Sequence, residues 1–311
     1  MEDGDRDHLN LAGRAGLVTG AGRGIGREIA RALARAGAAI VVNDAGVALD
    51  GAADAGRPAA EVADEIARAG GRAVASFDSV ATGEGARAMV GECVERFGRI
   101  DFVVNNAGIL RDRIFHKMTD EDWDAVIAVH LTGSFRVARA AAGHFRAQGS
   151  GAVVNLTSTS GLIGNPGQAN YMAAKLGVVA LTRAIALDMA RFGVRANAVA
   201  PFAWTRMTAA IPADGTAGGA ARRERLERLR PEQIAPLVVY LVSDAAREVT
   251  GQVFAVRGSE IVLFSQPRPT RTLHRQGGWT AAALAEAIPA LASAFVPLAV
   301  TADLFPYDPP E

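Results

Sequence analysis

The sequence predicts an α/β fold in which helices cover both faces of a doubly wound, parallel sheet of seven strands. Short apolar runs alternate regularly with longer segments whose apolar residues recur at helical spacing. Hydrophobic residues make up 50% of the 311 residues, aromatic residues only 6%, and there are 34 glycines. This composition is typical of close packing between helices and a sheet, and the length suffices for one large core.

The elements follow one another as repeated strand–turn–helix units. The first strand, residues 17–18, enters a glycine-rich turn and then a helix over residues 25–36. Because units of this kind repeat along the chain, we expect parallel strands joined by right-handed crossovers. The other predicted strands are residues 38–42, 73–77, 100–104, 152–156, 195–199 and 253–256, and the other helices are residues 61–69, 84–97, 120–145 and 170–191.

Three segments depart from this alternation. Residues 45–57 are rich in Gly, Ala and Asp and predict a surface loop. Residues 205–231 contain no strand pattern and predict a lid. We therefore expect one domain over residues 1–264, which includes the lid, and an extension over residues 265–311. The Ala/Leu pattern of the extension requires burial against its own domain or another subunit.

Charge, cysteine content and hydropathy exclude several classes of protein. The 33 basic and 33 acidic residues give a net charge of zero, so no overall field attracts nucleic acid or an anionic membrane. Cys93 is the single cysteine, and its position in a helical pattern predicts a buried thiol. Residues 279–302 are apolar, but Glu286 and Pro289 interrupt them, which argues against a membrane span. Residues 1–10 lack a signal-peptide pattern, so we expect a cytoplasmic protein.

A glycine-rich turn lies where the first strand meets the first helix. Gly20, Gly24 and Gly26 leave room for a tight turn and let the backbone approach a pyrophosphate at the helix N-terminus. Glycine turns also serve helix packing alone, but this strand–turn–helix context is the one that dinucleotide binding requires. The turn therefore predicts a Rossmann-type dinucleotide site, in which Arg23 and Ile25 also lie beside the cofactor.

Asp44, at the end of the second predicted strand, bears on which dinucleotide binds. A carboxylate there accepts hydrogen bonds from the adenosine ribose hydroxyls and repels a 2′-phosphate, which favours NAD over NADP. Arg23 points the other way, because a guanidinium in the turn can pair with a 2′-phosphate. A helix N-cap or a solvated loop position is the alternative role for Asp44. We weigh Asp44 more heavily than Arg23 and predict NAD.

Tyr171 and Lys175 are four residues apart and share one helix face. Ser158 follows the predicted strand 152–156, at the carboxyl end where open α/β sheets bind ligands. A phenol is a weak base at neutral pH, but a neighbouring ammonium and a positive nicotinamide ring stabilise the phenolate. Because the Tyr–Lys spacing is common in ordinary helices, its meaning depends on the motifs around it.

Together with residues 19–26 and 105–108, the serine and the tyrosine–lysine pair resemble the short-chain dehydrogenase/reductase family over about residues 11–260. The resemblance implies that Ser158 hydrogen-bonds the substrate oxygen. It also implies that Tyr171 transfers the proton, while Lys175 holds the nicotinamide ribose and tunes the tyrosine.

The same resemblance assigns further positions to the cofactor site. Asp78 matches the family's adenine-binding aspartate, and Asn105 matches the asparagine beside the cofactor. The remaining positions implied to contact the cofactor are Ser79, Ala107, Gly108, Pro201 and Thr205. No metal site is predicted.

Residues 42–44, 77–80, 164–171 and 230–232 carry a closer resemblance. They are similar to the (3R)-hydroxyacyl-CoA dehydrogenase module of D-specific multifunctional β-oxidation enzymes and to its bacterial stand-alone relatives, some of which act on steroid side chains. The resemblance implies NAD-dependent oxidation of a 3-hydroxyacyl-CoA to the 3-oxoacyl-CoA in a homodimer or homotetramer. Since the sequence contains no hydratase module, a hydration step would need a separate enoyl-CoA hydratase.

The sequence departs from the broad family pattern at two places. His130 stands where the family has a catalytic asparagine. It either holds a water that relays protons to Lys175, or is a packed and hydrogen-bonded helix residue. Phe202 follows Pro201 where the family has glycine, and its ring narrows the predicted pocket.

Other functions remain open on the sequence alone. Arginines of the predicted lid either form a salt-bridged helix or contact CoA phosphates. These arginines are Arg222, Arg223, Arg225, Arg228 and Arg230.

The sequence is also compatible with other functions. The rival enzymes are an NADPH-dependent 3-oxoacyl reductase and a steroid or secondary-alcohol dehydrogenase. The rival without turnover is a cofactor-binding scaffold.

Overall fold

The seven predicted strands form one parallel sheet. The computed structural model describes residues 9–48, 50, 56–205, 209 and 224–310. The strands have the order β3-β2-β1-β4-β5-β6-β7-β8, so the sheet grows outward on both sides of β1 and β4, as the prediction of a doubly wound sheet requires. The strands are β1 Ala15–Val18, β2 Ala39–Asn43, β3 Arg72–Ser76, β4 Phe102–Asn105, β5 Gly151–Leu156, β6 Val194–Phe202, β7 Val253–Arg257 and β8 Glu260–Leu263.

The eighth strand corrects the predicted count of seven. β8 pairs antiparallel with β7 in a register that places Arg257 opposite Glu260. Gly258, with φ of +60°, begins the two-residue turn between them, a position where a hairpin of this length favours glycine. The apolar run of β8 directly follows that of β7, so the sequence prediction stopped one strand early.

Helices cover both faces of the sheet, as predicted, and bury a hydrophobic core on each. They are α1 Gly24–Arg35, α2 Pro58–Arg68, α3 Gly83–Phe97, α4 Asp120–Ile127, α5 Gly133–Gln148, α6 Thr159–Leu162, α7 Ala169–Asp188, α8 Ala235–Val242, α9 Ala281–Ala287 and α10 Thr301–Leu304. Neighbouring residues of β1 point to opposite faces: Val18 joins the core under α1, α2 and α8, and Leu17 joins the core under α3 and α5. Cys93 is buried in the second core, as predicted, and burial raises the pKa of its thiol to about 12.

The predicted long helix over residues 120–145 contains a break in its hydrogen-bond pattern. Between α4 and α5 the backbone forms a π-helical segment, Ala128–Thr132, with His130 at its centre. A π-helical turn accommodates an extra residue and is frequent at functional sites. The segment turns His130 inward, where it is 2% exposed.

The C-terminal extension leaves the sheet after β8 and returns to it near its end. Most side chains of residues 265–298 are exposed, and they include Leu298 at 103% relative exposure. The chain then rejoins the domain, where the Thr301 amide donates to the Gly164 carbonyl at 3.1 Å. Among the described helices, none is long and apolar enough to cross a membrane.

Candidate active site

Two adjacent cavities open at the carboxyl ends of the parallel strands, where open α/β sheets bind ligands. We call them the glycine-turn cavity, of about 540 Å³, and the tyrosine cavity, of about 520 Å³. Ile25 and Thr205 line both. The predicted residues in the glycine-turn cavity are Gly20, Arg23, Gly24, Ile25, Asp44, Asp78, Ser79, Ala107, Gly108 and Thr205. Those in the tyrosine cavity are Ile25, Ser158, Tyr171, Pro201 and Thr205.

The glycine turn leaves no space for a side chain at Gly20 or Gly26. Gly20 has φ of +61°, and a Cβ there would lie 2.7 Å from the Cα of Ala107. A Cβ on Gly26 would collide with the Gly20 carbonyl, so Gly26 lets α1 start directly against the turn. The N-terminus of α1, with its unpaired N–H groups, therefore meets the cavity, an arrangement that fits a pyrophosphate.

Asp44 is held in one orientation at the end of β2. Its Oδ2 accepts a hydrogen bond from the Gly22 amide at 3.1 Å, and its Oδ1 accepts one from the Gly46 amide at 2.9 Å. The same carboxylate lines the cavity. Arg23 lines the same cavity, so both groups weighed in the choice of dinucleotide lie at one site.

Asp78 is fixed by the end of β3 and by the neighbouring strand. The Ser76 hydroxyl donates to Asp78 Oδ2 at 3.0 Å, and the Asn43 side chain donates to the Asp78 carbonyl at 2.9 Å. Ser79 follows Asp78 in the lining. The loop after β3 thus presents a carboxylate and a hydroxyl to the cavity that also contains the glycine turn.

The two asparagines after β4 point to different sides. The side-chain Nδ2 of Asn105 donates to Asn155 Oδ1 at 2.8 Å and to the Ser134 carbonyl at 3.3 Å, which connects β4 to β5 and α5. Asn106 lines the cavity and donates to the Gly20 carbonyl at 2.9 Å. Sequence reasoning singled out Asn105 and missed Asn106, although alternation along a strand indicates that only one of two neighbours faces the loop.

The structure brings Ser158, Tyr171 and Lys175 together at the end of β5. Ser158 caps α6, and its Oγ accepts a hydrogen bond from the Ser160 amide at 3.1 Å. Lys175 is buried, and its Nζ donates to the Leu156 carbonyl at 2.7 Å. The same Nζ lies 5.6 Å from the centre of the Tyr171 ring. One strand end and one helix face therefore position all three predicted catalytic groups.

Comparison with known proteins agrees with this geometry. A family model described as enoyl-(acyl carrier protein) reductase matches residues 20–258. A short-chain type dehydrogenase/reductase of Mycobacterium tuberculosis is 50% identical over 245 residues, which cover 79% of this chain and 82% of the relative. The chain belongs to the short-chain dehydrogenase/reductase family.

Two other relatives have more specific names. The hydroxyacyl-CoA dehydrogenase ChsB1 of M. tuberculosis is 42% identical over 282 residues, covering 86% of this chain and 84% of the relative. The peroxisomal multifunctional enzyme type 2 of Mus musculus is 44% identical over 248 residues, covering 80% of this chain. The match spans 32% of the mouse protein, so the chain resembles one part of it.

Solved structures of this family share the fold. A short-chain dehydrogenase from Mycobacterium avium has a TM-score of 0.81 at 40% identity and covers 94% of this chain and 98% of its own. A gluconate 5-dehydrogenase from Burkholderia cenocepacia with NADP and tartrate has a TM-score of 0.71, 35% identity and coverage of 82% and 97%. A 7α-hydroxysteroid dehydrogenase with NADH has a TM-score of 0.73, 28% identity and coverage of 83% and 98%. Both nicotinamide dinucleotides thus occur among the structural neighbours.

Burial sets the proton affinities of Tyr171 and Lys175. It raises the pKa of Tyr171 to about 12; the hydrogen bond with Ser158 opposes the rise and the Asp112 carboxylate adds to it. Burial also lowers the pKa of Lys175 to about 7. The sequence argument expected the ammonium to stabilise the phenolate, whereas desolvation dominates both groups in the chain alone. Tyr171 is therefore held as the protonated phenol until further positive charge enters the site.

His130 packs directly behind Tyr171. Its ring lies edge-on to the Tyr171 ring, with centroids 5.1 Å apart. Nε2 is 2.8 Å from the Ile109 carbonyl and 3.1 Å from the Ile109 amide, both in the loop after β4. Burial and the charge of Lys175 lower the pKa of His130 to about 3, so the imidazole is neutral. These contacts fit the packed and hydrogen-bonded role. Nδ1 of the same ring is buried and has no hydrogen-bond partner among the described residues, as the water-holding role requires, so both roles of His130 stay predictions.

The predicted lid lies only partly within the described residues. Arg222 and Arg223 are outside them. Arg228 pairs with Glu224 at 3.6 Å, as a salt-bridged helix predicts. Arg225 lines the tyrosine cavity, and Arg230 donates its amide to the Gln233 side chain at 2.8 Å.

The tyrosine cavity also contains residues that sequence reasoning did not connect with catalysis. Gln168, which donates to Asp112 Oδ2 at 2.7 Å, lies beside Tyr171 in the lining. Arg257 and Phe305 contribute from β7 and from the extension. Gln168 lies in residues 164–171, which carried the closer resemblance, whereas no local motif marks Arg257 or Phe305, because these two reach the cavity only through the tertiary fold.

Proposed function

We propose that the chain is an NAD-dependent dehydrogenase that interconverts a (3R)-3-hydroxyacyl-CoA and the 3-oxoacyl-CoA, with a fatty or steroid-bearing acyl group. The observation that carries the proposal is the composition of the tyrosine cavity. Ser158 and Tyr171 lie in the same lining as the apolar side chains of Phe202, Leu226 and Phe305. A secondary alcohol attached to a long apolar group fits such a cavity. The likeness to a hydroxyacyl-CoA dehydrogenase along most of both chains supports the same substrate class.

Each catalytic side chain then has one task. Ser158 Oγ accepts a hydrogen bond from the Ser160 amide, which orients the hydroxyl. Its hydrogen bond with Tyr171 in the chain alone would give way to one donated to the substrate oxygen. Tyr171, ionised to the phenolate when the positive charge of a bound dinucleotide lies beside it, would take the hydroxyl proton of the alcohol as a general base. Lys175, buried one turn along α7, supplies positive charge that favours the phenolate when protonated.

The glycine-turn cavity fits a nicotinamide dinucleotide. Its donors are the amides at the start of α1, and the close approach at Gly20 leaves room for a pyrophosphate but not for a side chain. Asp44 would accept hydrogen bonds from the adenosine ribose hydroxyls, and Asp78 would contact the adenine. When bound, NAD supplies the acceptor for the hydride that leaves the alcohol carbon. The chain's residues hold the dinucleotide, orient the substrate and move the proton.

The test is an absorbance assay for NADH with (3R)- and (3S)-3-hydroxyacyl-CoA thioesters, steroid-bearing thioesters included. We expect turnover of the (3R) series and a loss of about 10²- to 10⁴-fold in Tyr171→Phe, which removes the proton acceptor. Tyr240→Phe, in α8 away from the cavity lining, is the matched control and should be unchanged. Tight NAD binding without oxidation of any alcohol would contradict the proposal and support a cofactor-binding scaffold.

A specific observation favours one other candidate, an NADPH-dependent 3-oxoacyl reductase. Arg23 lines the glycine-turn cavity together with Asp44, and a guanidinium can pair with a 2′-phosphate. Equal initial rates with NAD and NADP at equal concentrations would remove the argument for NAD. Reduction of a 3-oxoacyl thioester with NADPH alone would establish the reductase.

We also propose the remaining context of the reaction. The chain acts in the cytoplasm as a homodimer or homotetramer, as the family resemblance implies, and a separate enoyl-CoA hydratase performs any hydration step. Residues 1–264 form the catalytic domain, with residues 265–311 as an extension. Light scattering of the purified chain measures the assembly, and a monomer would contradict it.

A further inference from the structure

The last part of the extension lies at the substrate site. Residues 301–309, which we call the C-terminal wall, follow the exposed stretch that ends at Leu298. Thr301, Phe305 and Tyr307 belong to the lining of the tyrosine cavity, together with Ser158 and Tyr171. The wall lies outside residues 20–258, the part that matches the family model.

A buried arginine attaches the wall to the sheet. Arg257, at the end of β7, is 3% exposed. Its guanidinium lies 4.0 Å from the Tyr307 ring centre and 5.2 Å from the Phe305 ring centre. Its Nη1 donates to the Tyr307 carbonyl at 3.1 Å, while its Nε donates to Glu260 Oε2 at 2.7 Å. The ion pair across the β7–β8 turn therefore fixes a cation on which two aromatic rings of the wall pack.

Aromatic and backbone contacts complete the attachment. The Phe305 ring meets the Phe202 ring edge to face, with centroids 4.9 Å apart. The Thr301 amide donates to the Gly164 carbonyl just before α7. Because Phe202 ends β6 and Gly164 precedes the helix that carries Tyr171, both contacts connect the wall to elements of the active site.

The wall also contacts residues 224–231, the end of the predicted lid. Arg225 Nε lies 3.2 Å from Asp308 Oδ1, and the two side chains are 48% and 59% exposed. An ion pair this exposed contributes little to stability. It nevertheless places a lid residue and a wall residue on the same rim, and both line the tyrosine cavity.

We propose that the C-terminal wall binds the apolar group attached to the reacting carbon and makes the enzyme select long or ring-bearing substrates over short ones. Phe305, Phe202 and Leu229 provide an apolar surface in the cavity that also holds Ser158 and Tyr171. A short substrate that occupies only the reacting end leaves this surface in contact with water, whereas a long one covers it. This inference rests on the proposed function, since it assigns a subsite to the same reaction.

The test measures chain-length preference in Phe305→Ala. We expect kcat/KM for a dodecanoyl-length substrate to fall on the order of tenfold, through KM, because apolar contact area is lost. The value for a butanoyl-length substrate should stay within about twofold. Phe295→Ala is the matched control, because Phe295 belongs to the same extension but is 61% exposed and should leave both values unchanged.

A second variant protects the test against a folding defect. Phe305→Leu keeps an apolar side chain against Phe202, and we expect it to restore most of the long-chain preference. Equal losses for long and short substrates in both variants would show a purely structural role and overturn the inference. A gain for long substrates would show that the wall limits substrate length, which would also overturn it.

Two substrate series separate this inference from the proposed function. One series consists of 3-hydroxyacyl-CoA thioesters and the other of free 2-alkanols of matching length. If the wild type oxidises only the free alcohols, the proposed thioester substrate is wrong. The ratio of kcat/KM for long and short alcohols in Phe305→Ala then still tests the wall. Inactivity of the wild type on both series would overturn both proposals.

Discussion

Buried polar side chains define the site at the level of single residues. Lys175 is 5% exposed, and its amine has the Leu156 carbonyl as a hydrogen-bond acceptor. Tyr171 contacts the lysine on one side and a neutral His130 on the other. Burial disfavours the charged forms of both groups. In the chain alone Tyr171 is therefore a phenol, and it lies beside a lysine that titrates near neutral pH.

The titration of Lys175 makes the stability of the folded chain depend on pH. Burial lowers the pKa of Lys175 to about 7, against ~10.4 in an unfolded chain. Between these values the unfolded chain holds a proton that the folded chain has released, so the free energy of unfolding rises with pH. We expect wild type to gain up to about 1.4 kcal/mol per pH unit relative to Lys175→Met between about pH 7 and 9.5.

Thermal or denaturant unfolding at several pH values measures this difference. The measurement stays below about pH 10 because Tyr171, whose pKa is raised to about 12, then contributes with the opposite sign. Lys117→Met changes the chain's other lysine, which is exposed, and is the matched control. Parallel curves for wild type and Lys175→Met would contradict the burial argument.

His130 should be replaceable by a smaller polar residue. In His130→Asn we expect turnover to stay within about tenfold of wild type, because the neutral imidazole binds the Ile109 backbone rather than titrating. In His130→Ala we expect a loss of about 2–4 kcal/mol of stability from the cavity behind Tyr171. Steady-state rates and chemical denaturation measure the two effects. A total loss of turnover in His130→Asn, with normal folding, would show a specific role for the imidazole.

At the level of elements, the proposed preference for NAD depends on the turn after β2. Asp44 is fixed by two backbone amides, so its charge cannot move away from an incoming 2′-phosphate. We expect Asp44→Ala to lower kcat/KM with NAD by about ten- to a hundredfold, the range for a lost hydrogen bond to a charged group. The value with NADP should rise. Asp64→Ala, at an exposed position of α2, is the control, and an unchanged NAD/NADP ratio in Asp44→Ala would exclude the assigned role.

The elements also show how far the sequence predicts this fold. Parallel strands were predictable because each is an apolar run bounded by glycine or asparagine, and the strand–turn–helix order fixes the winding. The π-helical segment at Ala128–Thr132 was not predictable, since its residues follow the same helical periodicity as α4 and α5. β8 was missed because a two-residue turn leaves almost no loop between it and β7.

The same contrast holds for the candidate site. Ser158, Tyr171 and Lys175 were predictable because a strand end and a helix face place them by sequence spacing alone. Asn106 and Phe305 were not singled out, because the first depends on which way a strand end faces and the second on a contact across about 100 residues of chain. Long-range contacts of this kind leave no local pattern in the sequence.

At the scale of the whole molecule, the two cavities lie over different strands of one sheet. The glycine-turn cavity lies over the ends of β1, β2 and β4, and the tyrosine cavity lies over β5 and β6. Ile25 and Thr205 form the border between them. The cavity for the proposed dinucleotide therefore spans the point between β1 and β4 where the winding of the sheet reverses, which is where doubly wound folds place their ligands. The cavity for the proposed substrate lies beside it.

The return of the chain to the cavity has a practical consequence for purification. The Ser259 hydroxyl donates to the Pro310 carbonyl at 3.1 Å, and Pro309 lines the tyrosine cavity. A tag fused directly after Pro310 would begin at the rim of the tyrosine cavity and add mobile charge there. Kinetic measurements are therefore better made on protein tagged at the N-terminus, or on protein from which a C-terminal tag has been cleaved.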